Sequence, residues 1–417
     1  MSSKAIYEMA KKVMVGGVSS PVRKYDPFPR CIREGKGSKL RDVDGRTYID
    51  YCMGFGPLIL GHGDRRVIER VKDQLEKGVL FGASTELEAD LAKKIIRHYP
   101  GIETVRFVST GGEATMSAIR LARGFTGRKK IVKVDGGYHG AHDSVLVKAG
   151  SGAQTHSIPN SKGVLPEASK YTLLVPFNDP VALEGAFKRE KEVSAFIVEP
   201  VMGNMGVIPP EDDYLKRVRE LCDSHDVLLI FDEIITGFRL SLGGAQTLYQ
   251  VVPDITTLGK IAGGGFPMGI LGGGKIMEEL SPIGAVYQAG TFSGNPISTT
   301  AGLATLEILE KEGYDMLDSM ALMLRRGLEE IIEDKGYRCR VQGVGSMFTV
   351  FMNPEKVSNS HEARKSDLRA YMRLHGFLLD HGVYLPPGQF ESCFLSMAHE
   401  KEDIDETLRA FEEGLNS

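Results

Sequence analysis

The stretch Ile230-Phe231-Asp232-Glu233-Ile234, read together with Gly259-Lys260-Ile261-Ala262-Gly263-Gly264-Gly265, decides how this chain folds. The apolar residues before Asp232 predict a buried strand that ends on a carboxylate. The glycines around Lys260 predict a tight turn that holds a lysine. The two segments therefore supply an acid at a strand end and an amine in a turn.

The pairing of Asp232 with Lys260 suits pyridoxal 5′-phosphate (PLP). The aldehyde of this cofactor needs an amine for a Schiff base, and its ring nitrogen needs an acid partner that keeps the ring protonated. A protonated ring accepts the electrons left behind when a substrate C–H bond breaks. Either residue alone is weak evidence, because a lone lysine is usually a solvated surface residue.

The composition indicates a soluble globular enzyme. The chain has 417 residues, 42% of them hydrophobic, which is enough for two domains. Its net charge of −4 includes no basic block, so nucleic acid is not expected as a partner. No apolar run has the length of a membrane span, and the first ten residues lack a signal-peptide core. Five scattered cysteines without a Cys-x-x-Cys pair predict reduced thiols in a cytoplasmic protein.

The middle of the chain alternates between apolar strands and helices. Strands are expected at residues 105–109, 130–134, 171–175, 195–198 and 227–231, and helices at 113–124, 181–188 and 213–224. Strands without polar alternation, separated by helices, predict an α/β fold with a largely parallel sheet covered on both faces. Ligands of such sheets bind at the carboxyl ends of the strands, which here carry Ser109, Asp135, Glu199 and Asp232.

The two ends of the chain predict a second, smaller α+β domain. Short strands are expected at 38–42 and 47–51 around the Asp44-Gly45 turn, and again at 338–342, 346–351, 383–385 and 394–396. We expect an N-terminal segment, 1–60, that joins this small domain. A large cofactor-binding domain is expected at 61–310, and the C-terminal small α+β domain at 311–417.

Several loops carry groups suited to a planar ligand with a phosphate. Ser109-Thr110-Gly111-Gly112-Glu113 opens a helix whose first N–H groups suit a phosphate, although an ordinary helix cap has the same pattern. The loop Gly290-Thr291-Phe292-Ser293-Gly294 combines hydroxyl and backbone donors. Tyr138 either stacks on a flat ring or packs in the core. His139 and His142 lack the further ligands of a metal site, so no metal is expected.

Asp232 and Lys260 need particular surroundings. Asp232 would be costly to bury unpaired, so its partner is either a protonated pyridine nitrogen or an arginine such as Arg239. Lys260 must be a free amine during part of a PLP-dependent cycle. Positive or apolar neighbours that lower its pKa would help it act as nucleophile and proton carrier, which makes it the expected catalytic residue.

Over essentially its whole length the chain resembles the class III PLP-dependent aminotransferases of fold type I. The motifs that carry the resemblance are Gly16-Gly17-Val18-Ser19-Ser20-Pro21-Val22-Arg23, Asp42-Val43-Asp44-Gly45, Leu60-Gly61-His62, residues 113–123 (EATMSAIRLAR), residues 148–152 (KAGSG), Glu199-Pro200-Val201-Met202-Gly203-Asn204-Met205-Gly206, Thr236-Gly237-Phe238-Arg239 and Ser396-Met397-Ala398-His399. The resemblance implies a mostly parallel sheet of the seven-stranded type, covered by helices, and a homodimer.

The resemblance also implies how PLP is held. Lys260 would bond to the cofactor and move protons between carbon and nitrogen, and Asp232 would pair with the ring nitrogen. The other implied contacts are Tyr138 and Ile234 on opposite ring faces, Gly111 and Gly112 N–H groups at the phosphate, Asn204 near the ring hydroxyl, and Thr291 at the phosphate site of the neighbouring subunit.

The implied substrate contacts lie near the N-terminus, in the middle and near the C-terminus of the chain. Ser20 and Arg23 would hold the substrate carboxylate. Glu199 would lie on the substrate side of the cofactor, and Glu391 near the substrate amine. The segment 150–166 would close over the site, which would keep a reaction intermediate from leaving.

One position departs from the family pattern. The family usually has Ser-Gly-Thr where this chain has Thr110-Gly111-Gly112. Gly112 has no hydroxyl, so one side-chain contact with the phosphate is absent. We expect weaker retention of the cofactor and the same chemistry.

The resemblance, with residues 18–23, Glu391 and the segment 150–166, implies an intramolecular amino transfer. Glutamate 1-semialdehyde would become 5-aminolevulinate through a 4,5-diamino intermediate, in tetrapyrrole (porphyrin) biosynthesis, while PLP cycles with pyridoxamine 5′-phosphate. A glutamyl-tRNA reductase would deliver the substrate. The main alternative is an ω- or β-amino-acid aminotransferase with an external donor and acceptor. An amino-acid racemase and a non-catalytic binding protein are the further alternatives.

Overall fold

The computed structural model describes residues 1–148, 158–159 and 161–415. Of the segment 150–166, which is expected to close over the site, residues 150–157 and 160 lie outside the described residues. The helices of the described part are α1 Ser3–Val13, α2 Arg65–Lys77, α3 Glu86–His98, α4 Gly111–Thr126, α5 Pro166–Ser169, α6 Pro180–Arg189, α7 Tyr214–Ser224, α8 Gly244–Tyr249, α9 Pro296–Glu312, α10 Asp315–Lys335, α11 Ser360–Ala363, α12 Leu368–Asp380 and α13 Lys401–Leu415.

The strands form one large sheet and three smaller ones. In chain order they are β1 Ile32–Lys36, β2 Lys39–Asp42, β3 Thr47–Asp50, β4 Thr104–Val108, β5 Lys130–Val134, β6 Val147–Lys148, β7 Ile158–Pro159, β8 Thr172–Val175, β9 Val193–Val198, β10 Leu228–Asp232, β11 Ile255–Gly259, β12 Gly269–Gly273, β13 Arg340–Val344, β14 Met347–Phe351, β15 Val383–Tyr384 and β16 Cys393–Phe394.

The large sheet has seven strands in the order β4-β12-β11-β10-β9-β5-β8. Neighbours from β11 to β8 are parallel, and β12 runs antiparallel to both β11 and β4. This confirms the predicted α/β fold with a mostly parallel sheet. Each predicted strand of this sheet falls within one or two residues of an observed one.

Both faces of the sheet are apolar because helices cover both. Successive residues of β10 point to opposite sides, so Ile230 packs under α4 with Ile197, whereas Leu229 and Phe231 pack towards α6 and α7. All six residues of β9 are buried. Each large apolar side chain buried in this way stabilises the fold by about 1.5–3 kcal/mol relative to an exposed one.

The parallel order brings the key residues to one edge of the sheet. Asp232 ends β10 and is paired in register with Thr257 of β11. Lys260 follows the end of β11 directly. Because β10 and β11 are adjacent and parallel, their carboxyl ends bring Asp232 and Lys260 to the same side.

The N-terminal and C-terminal parts of the chain share one of the smaller sheets. In the sheet β1-β2-β3-β15, Val383 pairs with Ile49, so a strand from the C-terminal part extends an N-terminal antiparallel hairpin. The strands β13, β14 and β16 form a separate antiparallel sheet. The division into 1–60, 61–310 and 311–417 stays a prediction. No helix among the described residues has the length and apolar character needed to cross a membrane.

Candidate active site

A cavity of about 940 Å³ opens at the carboxyl edge of the large sheet. Its walls come from the ends of β4, β9, β10 and β11, from the turn that follows β3, and from residues near both chain termini. Of the residues expected to form the site, those that line the cavity are Ser20, Gly111, Gly112, Tyr138, Glu199, Asn204, Asp232, Ile234, Lys260 and Glu391.

Lys260 reaches the cavity from a strained position. Its φ angle of 47° lies in the left-handed region, which side chains other than glycine rarely adopt. Its Nζ donates a hydrogen bond of 2.7 Å to the carbonyl oxygen of Phe55. Burial lowers the pKa of Lys260 to about 8, against the opposing negative charges of Glu199 and Glu391. A lysine with this pKa is partly a free amine near neutral pH.

Asp232 is 4% exposed and is held by three hydrogen bonds. Its Oδ1 accepts from the backbone N–H of Ile234 at 3.2 Å and from Thr257 Oγ1 at 3.1 Å. Its Oδ2 lies 2.7 Å from His139 Nδ1. These contacts fix a carboxylate in the cavity wall.

His139 is the residue that sequence reasoning missed. The sequence suggests for it only the role of a metal ligand, whereas the structure shows it 2% exposed and hydrogen-bonded to Asp232. Its spacing to His142 gave no sign of this, because the Asp232 partner is 93 residues away. The position after Tyr138, at the end of a buried strand, was the available signal.

The alternative partner for Asp232 was wrong. Arg239 donates instead to Gly56 O at 2.7 Å, Ser346 Oγ at 2.9 Å and Leu395 O at 3.1 Å. Its guanidinium also lies 4.9 Å from the ring centroid of Phe394. The side chain is fully buried, and burial lowers the pKa of Arg239 to about 9. Arg239 thus joins separate segments by donating to neutral acceptors.

Glu199, directly after β9, organises its part of the cavity wall. One carboxylate oxygen accepts from the Tyr138 N–H at 3.0 Å. The other accepts from the Gly203 N–H at 2.9 Å and from Asn204 Nδ2 at 2.8 Å. Burial raises the pKa of Glu199, with the charge of His139 opposing. Glu199 thereby orients two of the predicted cofactor contacts, Tyr138 and Asn204.

Glu391 brings a third carboxylate to the cavity, beside Asp232 and Glu199. Burial raises its pKa, and the positive charge of Lys260 opposes that shift. Glu391 belongs to a tight turn, since its N–H donates to Gly388 O at 3.0 Å. Three carboxylates, Glu199, Asp232 and Glu391, therefore share one cavity with the Lys260 amine.

The first residues of α4 form a bare stretch of backbone in the cavity wall. Thr110 caps the helix by accepting from the Glu113 N–H at 3.2 Å. A Cβ atom at Gly111 would lie 2.9 Å from Ile234 Cδ1, so a side chain there would collide with Ile234. The helix start leaves N–H groups without intrahelical partners, which suits an anion.

Tyr138 and Ile234 both line the cavity. Tyr138 is 54% exposed, so the interpretation in which it packs in the core is wrong. Ile234 follows Asp232 closely and contacts the α4 start. Their placement as opposite ring contacts stays a prediction.

Three residues with site expectations lie outside the cavity wall. Arg23 follows the lining residues Ser20, Pro21 and Val22 and is exposed. Thr291 is exposed as well, in a loop between β12 and α9. Asp135 at the end of β5 turns to Arg364 and Ser360, with an oxygen 2.6 Å from each, and so serves a structural contact. Among the described residues no group of three or more His, Cys, Asp or Glu forms a metal site.

The comparison with known proteins identifies the class. Residues 21–415 match the family model described as aminotransferase class-III. The chain therefore belongs to the class III aminotransferases.

The chain is 54% identical to a glutamate-1-semialdehyde 2,1-aminomutase from Methanothrix thermoacetophila, over 98% of this chain and 95% of the relative. Among solved structures it is similar to an omega-transaminase from Sphaerobacter thermophilus, with a TM-score of 0.93, 32% identity, and coverage of 99% and 97%. It is also similar to a glutamate-1-semialdehyde aminomutase from Pseudomonas aeruginosa, with a TM-score of 0.90, 26% identity, and coverage of 99% and 94%. A lysine-to-alanine variant of the Pseudomonas protein was solved in complex with PMP, pyridoxamine 5′-phosphate (TM-score 0.90, 25% identity, coverage of 99% and 94%).

Proposed function

We propose that this protein converts glutamate 1-semialdehyde into 5-aminolevulinate by PLP-dependent intramolecular amino transfer, a step of tetrapyrrole biosynthesis. The observation that carries the proposal is the shared cavity of Lys260 and Asp232 in a chain 54% identical to an aminomutase over nearly its full length. The enzyme is an isomerase, because substrate and product contain the same atoms and differ only in which carbons carry the amino group and the carbonyl oxygen.

The cavity fits PLP on three grounds. Asp232 is a buried carboxylate fixed in the wall, which suits a protonated ring nitrogen. Lys260 presents an amine whose pKa is lowered to about 8. At Gly111 the helix start has no side chain, and a Cβ atom would fill the space beside Ile234.

The residues that would hold the cofactor come from four parts of the chain. Asp232 would bind the ring nitrogen, the backbone of Gly111 and Gly112 the phosphate, and Asn204 the ring hydroxyl. Tyr138 and Ile234 would enclose the ring. When bound, PLP withdraws electrons from the carbon that loses a proton and carries the amino group as pyridoxamine 5′-phosphate.

Lys260 is the residue we assign to proton transfer. Its Nζ is the amine of the cavity, and a pKa near 8 lets it both accept and return a proton near neutral pH. Removing a proton from carbon and returning one at a different position are the two steps that an isomerisation by amino transfer requires. Both steps would use the same nitrogen atom.

The carboxylates and the N-terminal segment would position the substrate. Glu391 in the cavity wall would bind its ammonium group. Ser20 in the cavity wall, together with Arg23 three residues later, would bind the substrate carboxylate. Glu199 would keep Tyr138 and Asn204 oriented on the substrate side.

The assembly that we propose is a homodimer in which Thr291 completes the phosphate site of the neighbouring subunit. Thr291 is exposed, and so is its neighbour Phe292 at 58%. Further exposed apolar side chains, Leu75, Val79 and Phe81, lie near the end of α2. Exposed apolar groups of this kind are typical of an interaction surface.

We also propose how the substrate reaches this protein and in which compartment the protein works. Glutamate 1-semialdehyde is a reactive amino aldehyde, which favours direct delivery by the enzyme that makes it, and we expect that enzyme to be a glutamyl-tRNA reductase. All five cysteines are free, which suits the reducing conditions of the cytoplasm.

The second candidate function is an ω-amino-acid aminotransferase with an external donor and acceptor. The observation in its favour is the TM-score of 0.93 with the Sphaerobacter omega-transaminase, although that identity is only 32%. The two candidates differ in one requirement. An aminomutase needs no second substrate, whereas an aminotransferase stops after one half-reaction without one.

The first test is to incubate PLP-loaded protein with glutamate 1-semialdehyde alone and to measure 5-aminolevulinate. We expect many turnovers per site. At most one turnover, extended by an added amine donor or keto acid, would support the aminotransferase instead.

In the same assay Lys260→Ala should lower the turnover rate by roughly 100- to 10,000-fold, because a positioned acid–base group contributes about that much. The variant should still retain PLP without a covalent bond, as measured by equilibrium dialysis. Lys133→Met removes another buried lysine outside the cavity and serves as the control with normal turnover. Near-normal turnover by Lys260→Ala would refute the assignment.

A further inference from the structure

The segment that follows β3 contains four consecutive residues with positive φ angles. They are Met53 at 46°, Gly54 at 64°, Phe55 at 65° and Gly56 at 111°. Met53 and Phe55 are not glycines, and such a conformation costs each of them on the order of 1 kcal/mol or more. We call residues 53–56 the left-handed turn. A fold keeps a strained turn only when surrounding contacts enforce it.

The left-handed turn forms part of the cavity wall next to the catalytic lysine. Gly54 and Phe55 line the cavity. The Phe55 carbonyl oxygen accepts the 2.7 Å hydrogen bond from Lys260 Nζ. A Cβ atom at Gly56 would lie 3.6 Å from Lys260 Cδ, so the turn also packs along the lysine side chain. The turn therefore receives both the amine and its alkyl chain.

Asp50 holds the beginning of the left-handed turn. It is 1% exposed, and its Oδ1 accepts from the N–H groups of Cys52 at 2.8 Å and Met53 at 3.1 Å. Its Oδ2 lies 2.7 Å from His62 Nε2, which orients the carboxylate. Asp50 itself is fixed in β3, because its N–H donates to Ser38 O at 2.8 Å.

Arg239 holds the other end of the turn. Its Nη2 donates to Gly56 O at 2.7 Å, one peptide unit beyond the carbonyl that receives the amine. The remaining donors bind Ser346 and Leu395, so the guanidinium ties the turn to the C-terminal part of the chain. Both ends of the strained segment are thus clamped by buried charged side chains.

We propose that the left-handed turn is the docking position of the Lys260 ε-amine whenever that amine is not bonded to the cofactor, and that Asp50 is its positioning residue. The proposal rests on the proposed PLP-dependent function, because only there is the lysine repeatedly released and recaptured. In an amino transfer through pyridoxamine 5′-phosphate the free amine must stay close to the reacting carbon. Docking on the Phe55 carbonyl keeps it there and limits its freedom to rotate.

Four charged side chains act on the pKa of Lys260. Glu199, Glu391 and Asp232 favour the protonated amine, and Arg239 disfavours it. A hydrogen bond to the Phe55 carbonyl also favours the protonated form, because a charged ammonium is a stronger donor than a neutral amine. Loss of this bond therefore lowers the pH at which the amine becomes free.

The test follows the recapture of PLP by protein from which the cofactor has been removed. The rate at which the visible absorbance of bound PLP returns is measured from pH 6 to pH 10. For the unmodified protein the rate should rise with pH around a midpoint near 8 and then level off, as the lysine pKa requires. If the unmodified protein does not capture PLP at all, the proposed function fails, and this proposal fails with it.

Asp50→Ala should lower the plateau rate by roughly tenfold or more, because a displaced amine reacts more slowly. Its midpoint should also move to lower pH. Asp50→Asn keeps an oxygen acceptor for the Cys52 and Met53 N–H groups and should restore most of the rate. Should Asp50→Ala not fold, His62→Ala, which removes the partner that orients Asp50, should show a smaller loss in the same direction.

Asp42 provides a matched control for Asp50. It is 1% exposed, lies at the end of the neighbouring strand β2, and accepts from the N–H groups of Asp44 and Arg46, both at 2.9 Å. Asp42→Ala should destabilise the protein comparably in thermal unfolding without changing the plateau rate or the midpoint. If the Asp50 and Asp42 variants capture PLP alike, Asp50 has only a structural role and the proposal is wrong.

Discussion

Two neighbouring glycines at the start of α4 have different surroundings. At Gly111 an added Cβ atom would lie 2.9 Å from Ile234 Cδ1, closer than side chains tolerate. At Gly112 the nearest atoms would be Gly140 Cα at 3.5 Å and Thr110 Oγ1 at 3.9 Å, which are ordinary contacts. Gly111 is therefore required by packing, whereas Gly112 leaves room for a side chain that the family usually supplies.

Gly112→Thr should bind PLP more tightly, by about tenfold, because a hydroxyl would add a hydrogen bond to a charged phosphate. The dissociation constant is measured by titrating cofactor-free protein with PLP. Gly111→Ala is the control and should loosen binding, since its methyl group would push against Ile234. Unchanged affinity in Gly112→Thr would mean that backbone donors already saturate the phosphate.

His139 shows how a residue acquires its role from its neighbours. In the sequence it is one of two histidines three positions apart. In the structure its ring, in the loop after β5, contacts Asp232 at the end of β10. The backbone carbonyl of His139 accepts a hydrogen bond from Thr115 Oγ1 of α4. A histidine fixed at both ends can hold the Asp232 carboxylate in one orientation.

At the scale of single elements, β5 carries a charge in an otherwise apolar position. Lys133 is 4% exposed, and its Nζ donates a long hydrogen bond of 3.4 Å to Val145 O. Burial lowers the pKa of Lys133 to about 8, although Asp135 and Glu199 oppose the shift. A parallel sheet covered on both faces offers few polar partners to such an amine.

Lys133→Met should therefore change how stability depends on pH. The unfolded chain keeps the lysine proton up to about pH 10.4, whereas the folded chain releases it near 8. Between these values the unfolded state binds more protons, so the stability of the unmodified protein relative to Lys133→Met should rise with pH. The rise should be on the order of 3 kcal/mol, with no change below pH 7.

The free energy of unfolding of both proteins is measured with denaturant at pH 6, 7, 9 and 10.5. Glu190 pairs with another lysine of β5, Lys130, near the protein surface. Lys130→Met is therefore the control, and its stability difference should stay nearly flat over the same range. Parallel curves for Lys133→Met and the unmodified protein would show that Lys133 keeps an ordinary pKa in the fold.

At the scale of the whole molecule, Thr291 raises the question of which subunit it serves. The cavity of about 940 Å³ is lined without it, and Thr291 lies exposed in its loop. The predicted contact of Thr291 with a phosphate therefore requires a phosphate site outside the cavity of its own chain. The proposed homodimer places that site in the neighbouring subunit, so each active site would need two chains.

Mixing two inactive variants tests this arrangement. Lys260→Ala lacks the amine, and Thr291→Asp brings a negative charge to the phosphate. In a mixed dimer one site would combine an intact Lys260 with an intact Thr291 from the other chain. After unfolding and refolding together in equal amounts, the mixture should regain about a quarter of normal turnover, because half of the dimers carry one intact site.

The measurement is turnover of glutamate 1-semialdehyde before and after the two variants are mixed. Each variant refolded alone is the control and should stay inactive. No recovery in a mixture that contains mixed dimers would mean that Thr291 acts within its own subunit.

The sequence by itself determined the α/β architecture, the mostly parallel sheet and the two residues on which the proposed chemistry depends. These follow from local patterns. Apolar runs separated by helices predict buried parallel strands, and a polar residue that ends such a run lies at the ligand-binding edge. Asp232 could be recognised in this way, whereas Lys260 was indicated by the glycines of its turn. The fold then places both residues at the carboxyl ends of the adjacent strands β10 and β11.

The tertiary structure alone decided which distant residues support those two. Sequence reasoning offered Arg239 as the partner of Asp232, but the fold directs Arg239 to three neutral oxygens and brings His139 to Asp232. It also brings the left-handed turn to Lys260 across 205 positions of the chain. The contacts of Arg239 and of the left-handed turn join the small sheets to the large one, and the contact of His139 joins the loop after β5 to the end of β10. The periodic pattern of apolar residues cannot predict these contacts between distant residues, because it depends only on the neighbours of each residue along its own helix or strand.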